Sequence, residues 1–281
     1  MKVKREICVA GSIIDFTVKV PSGNHVRKRS PKVNITKEKV QENNDRITTK
    51  TLARLINLNF GIGCYHEILT YRSKGCSLND ADPVTPEEAL KEFKNFIARL
   101  RREMKKLGLE LKWIMATEYE NARIHHHFIT NAPKELVNKK WNAGIVIDIE
   151  FYKDYPDREP LASYIVKETS KSFRDSDSPF KSRYSHSRNL ITPEVRVEFV
   201  EPKVLFEEPV AWKGYYIPPE SVRRYEHPIT GLEHLEYKMI SLDIEPRLKK
   251  YYKGKKKKSK ENYSLYINYA EEQQSLFNRL C

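Results

Sequence analysis

Residues 112–130 read KWIMATEYENARIHHHFIT. Lys112–Tyr119 and Ile124–Thr130 are dense in apolar and aromatic side chains, and the polar link Glu120-Asn121-Ala122-Arg123 between them suits a hairpin. Side chains alternate along a strand, so His125 and His127 project to one face while His126 and Phe128 point to the other. Two imidazoles on one face are a ready pair of metal ligands. A hard cation such as Mg²⁺ or Mn²⁺ also calls for an oxygen ligand, and Glu118 on the preceding strand can lie opposite. Glu120 stays open as the third ligand instead, because a one-residue slip in register exchanges the faces. Three consecutive histidines can also merely decorate a strand or satisfy a buried hydrogen bond. A pair of correct parity beside a hairpin carboxylate in a basic chain favours ligation.

Outward from this hairpin the chain alternates strands and helices. Upstream, Cys64–Tyr71 (CYHEILTY) suits a buried strand. Thr85-Pro86-Glu87-Glu88 has the form of a helix start, and Gly108 supplies a stop. Between them Leu90, Phe93, Ile97, Leu100, Met104 and Leu107 make one apolar stripe, as in a helix packed on a sheet. Downstream come a short helix at Pro133–Lys140, a strand at Ile145–Glu150, a helix over Pro160–Lys171 (PLASYIVKETSK) and a strand at Val195–Val200. Residues 1–50 read as a basic N-terminal arm and helix, 51–200 as the main domain, and 201–281 as a C-terminal extension.

The 281 residues carry a formal charge of +13, which points to a polyanion, nucleic acid foremost. Lys249–Lys260 (KKYYKGKKKKSK) cannot bury itself; Lys255, Lys256, Lys257 and Lys258 within it are candidate DNA contacts, although a charge run is usually only a solvated segment. No apolar run approaches a membrane span, and Ile7–Phe16 is broken by polar residues, so a cytoplasmic protein is expected. Cys8, Cys64, Cys76 and Cys281 form no CxxC pair, which argues against a zinc cluster or a disulfide framework. There is no GxxxxGK[ST] phosphate loop, which argues against an ATP-driven helicase.

Tyr164 is the candidate nucleophile, with Lys167 one turn later on the same helix. A phenol titrates near about 10 and attacks poorly at neutral pH, so it needs nearby cations. A divalent ion and Lys167 would supply them, allowing transesterification through a 5′-phosphotyrosyl link with release of a 3′-hydroxyl. Taken without the histidine pair, Tyr164 would more simply be one of sixteen tyrosines with its ring in the core.

With these blocks in order, Tyr65–Tyr71 (YHEILTY), Glu118 before Arg123–Phe128 (RIHHHF), and Tyr164–Lys167 (YIVK), the chain resembles the rolling-circle replication initiators of the HUH endonuclease superfamily, especially those of Gram-positive plasmids, prophages and integrative elements. Asn57–Phe60 (NLNF) and Ser185–Glu194 (SHSRNLITPE) are similar to the same group. The resemblance implies an α+β fold with a central antiparallel sheet of about five strands, helices packed on it, the histidines on a central strand, and a C-terminal extension. It implies metal ligation by His125, His127 and Glu118, a Tyr164 nucleophile, a Mg²⁺ or Mn²⁺ cofactor, and site-specific nicking and joining of single-stranded or hairpin origin DNA alongside a host helicase and polymerase. Two positions depart from the pattern. His126 is polar where the family usually has a bulky apolar residue, and Glu168 stands where initiators with two nucleophiles have their second tyrosine. Histidines before tyrosine is the wrong order for a conjugative relaxase. A single-tyrosine transposase and a non-enzymatic DNA-binding protein are the alternatives.

Overall fold

The computed structural model describes residues 2–21, 37–72, 84–120, 123–151, 156–228 and 231–242. They fall into two compact units. The first lies within Met1–Leu58, Pro156–Ser163 and Ile191–Arg247, and the described residues of the second lie within Asn59–Tyr155 and Tyr164–Leu190.

The chain begins in the first unit with β1 (Val3–Ala10), β2 (Ile13–Lys19) and α1 (Lys37–Asn59). The segment Ile7–Phe16, too polar to span a membrane, is thus the body of a hairpin. Gly11 turns it with φ +63°, and a side chain there would collide with the Asn57 carbonyl. The second unit follows with β3 (Tyr65–Thr70), α2 (Pro86–Lys106), β4 (Trp113–Glu118), β5 (His125–Thr130), α3 (Lys134–Lys140), β6 (Val146–Glu150), α4 (Glu159–Glu168), α5 (Ser170–Arg174) and β7 (Ser185–His186). The division falls inside α4, between Ser163 and Tyr164. The first unit resumes with β8 (Val195–Val200), β9 (Tyr215–Tyr216), β10 (Arg223–Glu226) and β11 (Glu233–Ser241).

The second unit is built on an antiparallel sheet of order β6-β3-β5-β4-β7, which puts the three histidines on the middle strand. One face of it carries Leu69, Met115 and Phe128. These join Phe93, Phe96, Leu100 and Met104 of α2, Val137 of α3, and Trp141 in one apolar core. The start of α2 has the expected chemistry: Thr85 Oγ1 accepts from Glu88 N, and the Thr85 backbone N–H donates to Glu88. The apolar stripe differs at two ends. Ala89 and Phe96 are buried in addition, whereas Leu107 is exposed, because the helix ends at Lys106 and the chain turns at Gly108 with φ +72°. The helix expected over Pro160–Lys171 is two, separated at Thr169.

The first unit is a second sheet, of order β10-β11-β2-β1-β8 with β9 on β11. Its apolar face gathers Ile7, Ile14, Phe16, Val18, Leu235, Tyr237 and Met239. The other face is charged and meets α1. Arg54 pairs with Asp15 at 2.8 Å, and both Arg46 and Lys50 pair with Glu236 at 2.9 Å. Burial favours a neutral Glu236, but Lys50 and Arg46 overcome it and hold its carboxyl at about 2. Lys238 of β11 likewise pairs with Asp157 and Glu159 at the start of α4.

Sequence boundaries at 50 and 200 therefore do not coincide with these units. Strands from the expected N-terminal arm and C-terminal extension pair into one sheet, β2 with β11 and β1 with β8. Lys249–Lys260, with Lys255, Lys256, Lys257 and Lys258, lies outside the described residues, as do Cys76 and Cys281. Cys8 and Cys64 are buried free thiols. Among the described residues no helix is long and apolar enough to cross a membrane.

Candidate metal centre

The β4–β5 register sets Glu118 directly across from His125, and Ala116 across from His127. Cross-strand partners share a face, so Glu118, His125 and His127 converge, and the small Ala116 leaves room beside His127. Glu118 Oε2 lies 3.5 Å from His125 Nε2 and 3.9 Å from His127 Nε2. One ligand atom from each of the three residues lies within 4.8 Å of the others. Glu118 and His127 are buried and His125 is partly exposed, so the cluster opens on one side. Glu120, the other candidate, is exposed and past the end of β4.

The hydrogen bonds at the far side of each ring decide which nitrogen is free. His125 Nδ1 sits 2.9 Å from the Arg123 carbonyl, an acceptor only, so the proton is on Nδ1 and the Nε2 lone pair faces Glu118. His127 Nδ1 lies 3.2 Å from His66 Nε2, and His127 Nε2 is buried with no hydrogen-bond partner. A proton on that Nε2 would be buried without an acceptor, so His127 Nδ1–H donates to His66 and Nε2 keeps its lone pair. Burial lowers His127 to about 3 and His66 to about 4, with neighbouring histidines adding to the effect. Both rings are therefore neutral at ordinary pH, as ligation requires. Two imidazole nitrogens and a carboxylate oxygen, with one nitrogen otherwise orphaned, fit a divalent cation. His66, on β3, is a contributor that no motif announces.

His126 faces the other way and is fully buried. Its Nε2–H donates to Tyr71 Oη at 2.7 Å, Tyr71 Oη–H in turn donates to the Ala89 carbonyl at 3.0 Å, and Thr117 Oγ1 is 2.8 Å from Nδ1. With Phe93, Trp141 and Phe180 around it, the ring fills a position that suits an apolar side chain, with its polar atoms satisfied.

Tyr164 stands on α4 with its ring edge-on to His127, centroids 5.4 Å apart. Its side chain is exposed along the other edge, and burial, then Glu168 and Glu118, raise its phenol above the ordinary value. At the end of β4 the Ser172 hydroxyl of α5 accepts from the backbone N–H of Tyr119 and Glu120, and Tyr119 Oη donates to Asp175 at 2.7 Å. This fixes the strand carrying Glu118 to the helix that follows α4. Lys167 is exposed, with Nζ 4.0 Å from Glu168 Oε1.

Residues 68–173 match the family model of the replication-associated protein ORF2. The matched segment runs from β3 to α5 and contains Glu118, His125, His127, Tyr164 and Lys167. No curated protein and no solved structure matches the chain. The family match supports a replication initiator, which suggests DNA as the partner and a nicking role; the Glu118/His125/His127 group could hold the metal for it.

Proposed function

We propose that this chain initiates rolling-circle replication as an HUH-type endonuclease, nicking and rejoining single-stranded or hairpin origin DNA through Tyr164. The observation that carries the reading is the partly buried Glu118/His125/His127 group with the Tyr164 ring against His127, inside a segment similar to replication-associated proteins. The five-stranded antiparallel sheet with its histidine pair on the middle strand is read as the HUH sheet.

Glu118, His125 and His127 would hold Mg²⁺ or Mn²⁺. When bound, the ion polarises the scissile phosphate and neutralises charge developing on its oxygens. Tyr164 Oη attacks phosphorus, the P–Oη bond forms, and the bond to the 3′ oxygen breaks. The phenol proton is lost and a proton is gained by the departing 3′-hydroxyl, so the phosphodiester energy is kept in the 5′-phosphotyrosine. The raised phenol of Tyr164 means that the chain's own groups do not ionise it in advance. Lys167 is a cation free to swing toward the phosphate, being exposed on the same helix. Lys255, Lys256, Lys257 and Lys258 would add contacts to the DNA backbone, and a cytoplasmic host helicase and polymerase would act on the nicked product.

Labelled single strands from the chain's own replicon test this. Tyr164→Phe should bind them with unchanged affinity and cut none, while the unaltered chain cuts one of them in Mn²⁺. Equal binding and no cutting by either protein would leave a DNA-binding module, and ordered integration of a donor strand would favour a single-tyrosine transposase.

A further inference from the structure

Strand β8 of the six-stranded sheet pairs with β1 along one edge, and it ends the strand order on the other. Val195, Val197 and Phe199 face the same side and are 45, 44 and 60% exposed, although Val and Phe at alternate positions of a strand are normally covered. Exposed edges are usually blunted by proline, lysine, charge or shortness. The opposite edge follows that rule: β10 is four residues, Arg223-Arg224-Tyr225-Glu226. β8, Val195-Arg196-Val197-Glu198-Phe199-Val200, has neither proline nor lysine.

From the order of these side chains we infer that β8 is the seam of a homodimer, pairing antiparallel with β8 of a second copy about a two-fold axis at Val197. The axis sets Val197 against its own copy, Val195 against Phe199 of the other strand, and Arg196 against Glu198. The apolar stripe then closes on itself on one face, and two Arg–Glu pairs form on the other, each Glu198 keeping its 2.5 Å bond to Arg5 of its own chain. Both residue-pair types of an antiparallel ladder admit a two-fold axis, so the register is allowed whichever type Val197 occupies. A closed, isologous contact of this kind stops at two chains. The remaining long edge, β6 of the other sheet, carries Asp148 and Glu150 and no basic residue, so two copies of it repel.

Sedimentation of the full chain over a concentration series reaching on the order of 100 µM tests the seam. The expected particle is a dimer, twice the chain mass of 33.1 kDa. Val197→Lys, which puts two ammonium groups face to face on the axis, should sediment as a monomer with an unchanged circular dichroism spectrum. Arg196→Glu, which sets Glu against Glu198 twice over, should raise the dissociation constant about tenfold or more and decides the matter if Val197→Lys fails to fold. A monomer at every concentration, with the stripe covered by the chain's own remaining segments, overturns the inference. So does an open-ended assembly, or a dimer that both substitutions leave as tight as before.

Discussion

Replacing His66 by phenylalanine should weaken the metal site without touching any of its ligands. The ring is similar in size and fits the same buried position on β3, but it offers no acceptor to His127 Nδ1, now 3.2 Å from His66 Nε2. His127 then either leaves a buried N–H unpaired, at about 1–3 kcal/mol, or moves its proton to Nε2, the nitrogen the cation needs. Losing such a supporting partner typically lowers metal affinity about 10–100-fold, or about 1.4–2.8 kcal/mol. Titration of the full chain with Mn²⁺, following free Mn²⁺ by electron paramagnetic resonance, reads the affinity directly, and a thermal melt confirms folding. His66→Gln, whose amide oxygen can accept from Nδ1–H, should recover part of the loss. Mn²⁺ affinity within about twofold of the parent in a folded His66→Phe chain would refute the assigned tautomer.

Thr85→Ala should lower stability by about 0.5–2 kcal/mol in a denaturant titration, since both reciprocal bonds of the capping box at α2 are lost. Acid should destabilise the metal-free protein. Burial holds His66, His126 and His127 at about 4, 3 and 3, whereas the unfolded chain protonates its histidines near about 6.5. Their contribution is whole above that value and lost as pH falls toward the folded values, each with a slope of about 1.4 kcal/mol per pH unit. His126→Phe should flatten this slope between pH 6 and 4.5 by about a third, and an unchanged slope would contradict the burial-driven shift. Glu67 works in the opposite sense. Its carboxyl is buried without a hydrogen-bond partner among the described residues, and burial, then Asp148 and Glu135, raise it well above the ordinary carboxylate value. Its contribution is present below the unfolded value and lost as pH rises, so Glu67→Gln should raise the melting temperature more at pH 8 than at pH 5; equal gains at both would sink the assignment.

How much could be read in advance follows from the range of each interaction. The period of two along IHHHFIT separates His125 and His127 from His126, and the short link to KWIMATEY brings Glu118 opposite, so the three-residue cluster is legible within one hairpin. The start of α2 is legible because a capping box spans four residues. His66 is not, since it meets His127 across 61 residues through the β3–β5 register, which no local pattern fixes. The six-stranded sheet is hidden for the same reason. Val195–Val200 reads as a strand, but its partner β1 lies near the other end of the chain, and the charged face of β2 and β11 looks solvent-exposed until Arg46, Lys50 and Arg54 of α1 are placed on it. Leu107 shows the limit of periodicity, which continues past the last helical residue.

The most direct test of Tyr164 chemistry is mass spectrometry of the protein after incubation with single-stranded origin DNA, with Mn²⁺ and with chelator. A 5′-phosphonucleotide adduct on the peptide containing Tyr164, formed only with Mn²⁺ and absent from Tyr164→Phe, is the predicted result. An adduct on another residue, one that forms equally in chelator, or none while the DNA is cut, would contradict it.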